Sequence, residues 1–178
     1  MDALSLAVSA LVVLLLSAAA WLAWRRRGAA PGTADDLDAE MREVFLAEAR
    51  AELVQLQRHL PRWREDPTDL ARLQPLRRTF HTLKSAGRMV GAAALGELCE
   101  QAERLALRLM EREIPPQAEA VDALSQAASV VPALVEQFAG GAASPRAASA
   151  AAIARIERLL RAARSPARSA AQIGRAHV

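Results

Sequence analysis

Apolar residues recur every three or four positions between residues 73 and 90, and no other feature of the sequence constrains the fold as strongly. Residues three and four apart share one face of a helix, so this spacing predicts a helix that packs one apolar face into a bundle. Pro75 lacks a backbone donor, so we expect the helix to kink or to restart there. The apolar positions are Leu73, Leu76, Phe80, Leu83, Gly87 and Val90.

Three other segments repeat this spacing, and the four together predict an all-α, up-and-down four-helix bundle over residues 37–138. Alanine supplies much of the apolar content and tyrosine is absent, which favours helices over sheets. Pro61 should end the first helix, Trp63 should cover one end of the bundle, and Pro132 should bend the fourth helix. The helices are expected at residues 37–60, 69–90, 93–112 and 117–138. Their apolar faces include Met41, Phe45, Ala49, Leu53, Leu56 and Leu60 in the first, Leu95, Leu98, Ala102, Leu105 and Leu109 in the third, and Val121, Leu124, Ala128, Val131, Val135 and Phe138 in the fourth.

The amino-terminal segment lacks charged residues from residue 3 to residue 24. As a helix it would span about 33 Å, enough to cross a bilayer core of about 30 Å. Arg25, Arg26 and Arg27 follow it, so the positive-inside rule predicts a single-pass anchor of a bacterial-type inner membrane, with the amino terminus outside and the remaining chain cytoplasmic. A cleaved signal peptide is the alternative, but Asp2 gives the preceding residues the wrong polarity. We therefore assign residues 1–27 to the anchor and its basic flank, and residues 28–36 to a linker.

The carboxyl-terminal segment, residues 139–171, is rich in Ala, Ser and Pro and predicts a linker. Its pattern allows a short helix over residues 153–163, with too few apolar residues to build a core alone. The last seven residues, QIGRAHV, resemble the translation of a common sequencing adapter. We interpret residues 172–178 as a non-native tail, in which case the native chain continues beyond Ala171.

His81 lies in the middle of the second predicted helix, on a polar and basic stripe. A neutral imidazole, with an ordinary pKa of about 6.5, is a competent nucleophile. Glu103 flanks the apolar seam of the third helix, so it could hold the proton of one ring nitrogen. The alternatives are that His81 is merely solvated or capping and that the glutamates pair with surface arginines. The stripe comprises Arg77, Arg78, His81, Lys84, Ser85 and Arg88.

The string HTLKSAG, from His81 to Gly87, resembles the signature of histidine phosphotransfer (HPt) domains. Extended by RMVG, it is most similar to the HPt modules of chemotaxis-type histidine kinases, and the resemblance covers residues 41–138. It implies that His81 is phosphorylated, that Glu103 bonds the ring, and that Glu100 is a second polar residue nearby. Lys84 matches the motif and would offer positive charge to the phosphoryl oxygens. The family usually has glycine at the position of Ser85.

The resemblance also indicates the partners. Receiver domains present acidic pockets, so Arg77, Arg78, Ser85 and Arg88 are expected to form the partner-binding face. No glycine-rich phosphate loop is present, so the segment should not bind ATP. We expect no cofactor, with Mg²⁺ supplied by the receiver, and no protein-bound metal, since neither carboxylates nor the single cysteine have ligand spacing. The net charge of +3 is too dispersed to indicate nucleic acid binding.

The sequence therefore predicts a membrane-anchored phosphocarrier that relays a phosphoryl group between a histidine kinase and the aspartate of a receiver domain. One alternative is the amino-terminal part of a multidomain chemotaxis-type histidine kinase, which a downstream ATP-binding domain would reveal. A dimerising kinase helix is less consistent, because that family expects a proline soon after the histidine and residues 82–91 contain none. A membrane-tethered scaffold with an incidental histidine is the remaining alternative.

Overall fold

A computed structural model describes residues 34–142 and 144–173, with side-chain exposure described for residues 38–163 except residue 143. Five α-helices and one short 3₁₀ turn make up this part of the chain, which contains no strand. The all-α prediction is therefore confirmed there. The helices are α1 (Ala34–Glu65), α2 (Leu73–Met89), α3 (Ala93–Met110), α4 (Ala118–Phe138) and α5 (Arg146–Ile173), and the 3₁₀ turn is Leu70–Arg72.

The first helix does not end at Pro61, as the sequence suggested. α1 continues through this proline to Glu65. The extension carries Trp63 into the core, where its side chain is fully buried, seven residues after the buried Leu56. Proline removes one helical hydrogen bond. Burial of a large aromatic side chain offsets that loss.

The second helix restarts close to Pro75, as expected. The 3₁₀ turn is capped by Asp69, whose side chain accepts a hydrogen bond from the Ala71 backbone amide at 3.1 Å. α2 then begins at Leu73, which makes Pro75 the third residue of the helix. The first four amides of a helix have no partner within it, so a proline at this position removes no hydrogen bond.

The predicted apolar faces form one core. Five of the six seam residues of α2 are buried, and Val90 packs against them. All five predicted seam residues of α3 are fully or almost fully buried. Met41 is the exception, because its side chain is 47% exposed. Arg42 covers this end of the bundle instead, with its guanidinium 4.7 Å from the centroid of the Phe138 ring and hydrogen-bonded to the Phe138 carbonyl oxygen.

The carboxyl-terminal segment is a helix of 28 residues rather than a linker with a short helix. α5 packs against both α3 and α4, and it buries Ala152, Ile156 and Leu160 in the common core. These residues are too few to form a core of their own, but they complete one that the other helices begin. Gly140 follows the end of α4 with a φ of 97°, a left-handed conformation that glycine adopts without strain. The chain turns there toward α5. The four-helix prediction thus omitted one helix.

The described residues from Ala39 onward belong to one compact unit. Within the described residues, no helix has the length and apolar character needed to span a membrane. The predicted anchor at residues 1–27 lies outside the described residues, so this finding does not bear on it. α1 begins at Ala34, inside the predicted linker 28–36, and α5 ends at Ile173, inside the interpreted tail.

Candidate functional site

His81 projects outward from the middle of α2. Its neighbours Thr79, Phe80 and Leu83 are buried and fix the orientation of this helix against the core. The imidazole lies on the opposite side, and 56% of the His81 side chain is exposed. The ring is therefore firmly placed on a rigid helix and still open to a large reaction partner.

Glu103 reaches the imidazole from α3. Its Oε1 atom lies 2.8 Å from Nδ1 of His81, and only 13% of its side chain is exposed. An ionised carboxylate can only accept hydrogen bonds, so Nδ1 carries the proton and donates it to Glu103. The second ring nitrogen, Nε2, then retains its lone pair. In this tautomer Nε2 is available to act as a nucleophile.

Two further basic side chains of α2 approach the same carboxylate. Lys84 Nζ donates a hydrogen bond to Glu103 Oε2 at 2.6 Å, and its side chain is 19% exposed. Arg77 brings a guanidinium nitrogen to 3.7 Å from Glu103 Oε1, and its side chain is 32% exposed. The structure therefore gathers His81, Lys84 and Arg77 around a single carboxylate that is largely removed from water.

The pKa of Glu103 follows from this arrangement. Burial is the largest influence and would raise the pKa of the carboxyl group, because a low-dielectric surrounding disfavours the charged form. The hydrogen bonds from Lys84 and His81, together with their positive charges, outweigh burial, so the pKa lies below its ordinary value. Glu103 is consequently an anion near neutral pH and can hold the proton of His81 in place.

A second ion pair crosses the same pair of helices one turn further along. Glu100 forms an ion pair with Arg88, with 2.6 Å between a guanidinium nitrogen and Oε2. The buried Gly96 lies against Arg88, and a Cβ atom there would come within 3.2 Å of Arg88 Cγ. Sequence reasoning overlooked Gly96. The available signal was a glycine inside a helical segment, where this residue usually has a packing reason.

The other predicted residues of the basic stripe, Arg78 and Ser85, are exposed on the same helix as His81. Their assignment to a partner-binding face stays a prediction, as does that of Arg77 and Arg88. Cys99 is buried, and burial followed by the charge of Glu103 raises the pKa of its thiol, which makes it a poor nucleophile.

His59, on α1, is half-buried and lies outside the cluster around Glu103. Its pKa is lowered by burial and by the charges of Arg58 and Arg62. Across the described residues, no group of three or more His, Cys, Asp and Glu side chains could hold a metal ion.

Comparison with known proteins gives one family. Residues 40–141 match the model of the family described as Hpt domain, which is more than half of the chain. The match begins in α1 and ends just after α4, so α5 lies beyond it. Neither the curated proteins nor the solved structures contain a match.

Proposed function

Because the chain belongs to the Hpt domain family, we propose that His81 is the residue that accepts a phosphoryl group and passes it on. Hpt domains carry out histidine phosphotransfer in phosphorelays, and they interact with histidine kinases and with receiver domains. The observation that carries the assignment to His81 is its contact with Glu103. The buried carboxylate holds Nδ1 of an exposed ring, which leaves Nε2 as a nucleophile that faces solvent.

In the transfer step the imidazole of His81 attacks an incoming phosphoryl group. The bond between phosphorus and the aspartate oxygen of a phosphorylated receiver breaks, and its electron pair leaves with the aspartate carboxylate. A new bond forms between phosphorus and His81 Nε2. The proton stays on Nδ1, so the ring gains a positive charge. Glu103, 2.8 Å away, stabilises that charge, and the reverse step returns the phosphoryl group to a receiver.

The surface around the histidine supports a receiver as the partner. Arg78 and Arg88 are exposed on the same helix as His81, and they would complement an acidic pocket. Ser85, one turn after His81, is small and exposed, which leaves room for the partner's phosphoryl-bearing loop. In this proposal the receiver brings the Mg²⁺ ion with its own carboxylates, and the chain binds no cofactor itself.

Transfer from labelled receivers tests the assignment. Each receiver domain encoded in the same genome is charged with radiolabelled acetyl phosphate and mixed with the full chain. We expect acid-labile label on the wild type, none on His81→Gln, and wild-type labelling of His59→Gln, which changes the histidine on α1. If the wild type carries no such label, or His81→Gln still does, the proposal fails.

We also propose that residues 3–24 anchor the chain in a bacterial-type inner membrane and leave the Hpt domain cytoplasmic. The support is the run without charge, Trp21 and Trp24 near its end, and the three arginines that follow. The full chain should remain in the membrane fraction after an alkaline wash, whereas a chain without residues 1–27 should be released. Equal release of both would contradict the anchor.

A more specific proposal is that this module is of the kind found in chemotaxis-type histidine kinases. Its support is the run RMVG after the motif, together with the glutamates on the next helix. In that case the native reading frame beyond Ala171 would encode an ATP-binding domain. A stop codon soon after that point would leave a separate phosphocarrier instead.

A further inference from the structure

Arg77 approaches Glu103 but has no role of its own in the transfer step. Glu103 has two basic side chains besides the histidine, and they approach different oxygen atoms. Lys84 donates to Oε2 at 2.6 Å, while Arg77 lies 3.7 Å from Oε1, the atom that also accepts from His81. At 2.6 Å the Lys84 contact is a short, charge-assisted hydrogen bond, whereas the Arg77 contact is an ion pair without hydrogen-bond geometry.

This arrangement becomes important when Nε2 is phosphorylated. Lys84 lies three residues after His81, on the same face of α2, and its flexible side chain can turn toward the phosphoryl oxygens. In doing so it would give up its bond to Glu103. A carboxylate that is only 13% exposed cannot lose its closest cation at no cost, because water does not replace the lost charge. The carboxylate would then take up a proton more readily and hold the ring less well.

We propose that Arg77 is a positioning residue that takes over as the counterion of Glu103 while Lys84 binds the phosphoryl group. The proposal rests on the function proposed above. It gives the two basic residues separate roles: Lys84 serves the phosphoryl group, and Arg77 keeps the carboxylate against Nδ1 of His81. Arg77 therefore acts through Glu103 and does not touch the reacting atoms.

The chemistry of Arg77 suits this role. A guanidinium group stays protonated at any pH at which the protein is folded, and its planar set of donors can pair with a carboxylate through two hydrogen bonds. The residue comes one turn before His81, so it approaches from the side opposite to Lys84. Its side chain is half-buried at 32% exposure, whereas the adjacent Arg78 is exposed. Arg78 thus provides a matched control for the titration of Glu103.

A double-mutant cycle in the unphosphorylated full chain tests the shared counterion. Carbon-detected NMR follows the titration of the Glu103 carboxyl group in Arg77→Gln, Lys84→Gln and the double variant. Besides these two residues, the titratable groups next to Glu103 within the described part of the chain are His81 on α2 and Cys99 on α3. We expect each single variant to raise the titration midpoint of Glu103 slightly. The double variant should raise it by about 1 to 3 pH units, which is more than the sum of the two single shifts.

Two control variants distinguish a specific role of Arg77 from a general loss of positive charge. Arg77→Lys retains the charge and should restore the midpoint in the Lys84→Gln background. Arg78→Gln in that background should leave the titration midpoint of Glu103 unchanged, because Arg78 is exposed and is not among the side chains that approach this carboxylate. If Arg77→Gln shifts the midpoint no further than Arg78→Gln does, Arg77 is not the second counterion.

The transfer reaction provides the second readout. In the labelled-receiver assay, the rate of His81 phosphorylation should fall at a higher pH on acidification in Arg77→Gln than in the wild type. In Arg77→Lys this pH should return to the wild-type value. If Arg77→Gln and the wild type have identical pH profiles, and the wild type is labelled normally, the role of Arg77 is overturned and the proposed function stands. No labelling of the wild type overturns the proposed function, and the role of Arg77 in turnover falls with it.

Discussion

Glu103 and His81 meet 2.8 Å apart across the contact between α2 and α3, and one is largely buried while the other is largely exposed. The buried partner has little freedom to move, because α3 is packed through Ala102 and Leu105 on either side of it. The exposed partner therefore has its orientation set from within the core. This relationship underlies the first two predictions.

Removal of the Glu103 charge should slow phosphoryl uptake. Glu103→Gln can no longer hold the Nδ1 proton as an anion, so part of the population adopts the other tautomer. We expect a loss on the order of ten- to a hundredfold in rate, similar to the loss of the group that orients a metal-bound histidine. Glu97→Gln, an exposed glutamate on the same helix, is the control and should keep the wild-type rate. A normal rate in Glu103→Gln would contradict an orienting role.

The lowered pKa of Glu103 predicts how stability depends on pH. Between its folded pKa and the ordinary value of 4.5, the unfolded chain binds more protons at this group than the folded chain does. The stabilisation by Glu103 is therefore complete above about pH 4.5 and is lost as the pH falls through the folded pKa. Urea unfolding of the wild type and Glu103→Gln across this range measures it. The difference between their free energies of unfolding should shrink on acidification, and a constant difference would contradict the prediction.

Replacement of Arg112 by glycine should stabilise the fold. Arg112 follows α3 with a φ of 59°, a left-handed conformation that costs an ordinary residue about 1 to 2 kcal/mol. Arg112→Gly should raise the free energy of unfolding by about 1 kcal/mol. Gly91 has a φ of 78° and open space around its Cα, so Gly91→Ala should lower it by a similar amount. Chemical denaturation measures the free energy of unfolding of both variants. If both change it in the same direction, the left-handed backbone conformation is not the cause.

Truncation of Ile156 tests whether α5 belongs to the bundle. Ile156 is fully buried against the core that α3 and α4 form, so Ile156→Ala should cost about 2 to 5 kcal/mol of stability. Arg158→Ala, two residues later at an exposed position, should change stability by less than about 0.5 kcal/mol. Equal small effects in a thermal melt would mean that α5 packs only loosely.

The local parts of this fold could be predicted from the sequence. The three- and four-residue spacing of Leu76, Phe80 and Leu83 specifies which side of α2 is buried, and hence that His81 faces outward. The position of Glu103 beside the seam residue Ala102 placed it near the imidazole for the same reason. These inferences need only the geometry of one helix and an antiparallel neighbour.

The rest depended on contacts that are distant in sequence. Pro61 is tolerated inside α1 because Trp63 is buried beyond it, and α5 packs because other helices supply the core that it completes. The contact of Arg77 with Glu103 was not predicted, because a helical stripe does not reveal which way a long side chain leans. The structure turns it toward Glu103, a residue of another helix.

If His81 is phosphorylated as proposed, the exposure of its side chain affects the lifetime of the phosphorylated form. A phosphorus–nitrogen bond on a ring that is 56% exposed meets bulk water on most of its surface. None of the described residues encloses the ring, so the persistence of a phosphoryl group there would depend on the intrinsic reactivity of phosphoimidazole and on how soon the next protein arrives. A phosphoryl group that is not transferred would be lost to hydrolysis. The concentration of the acceptor protein would therefore determine what fraction of it is passed on.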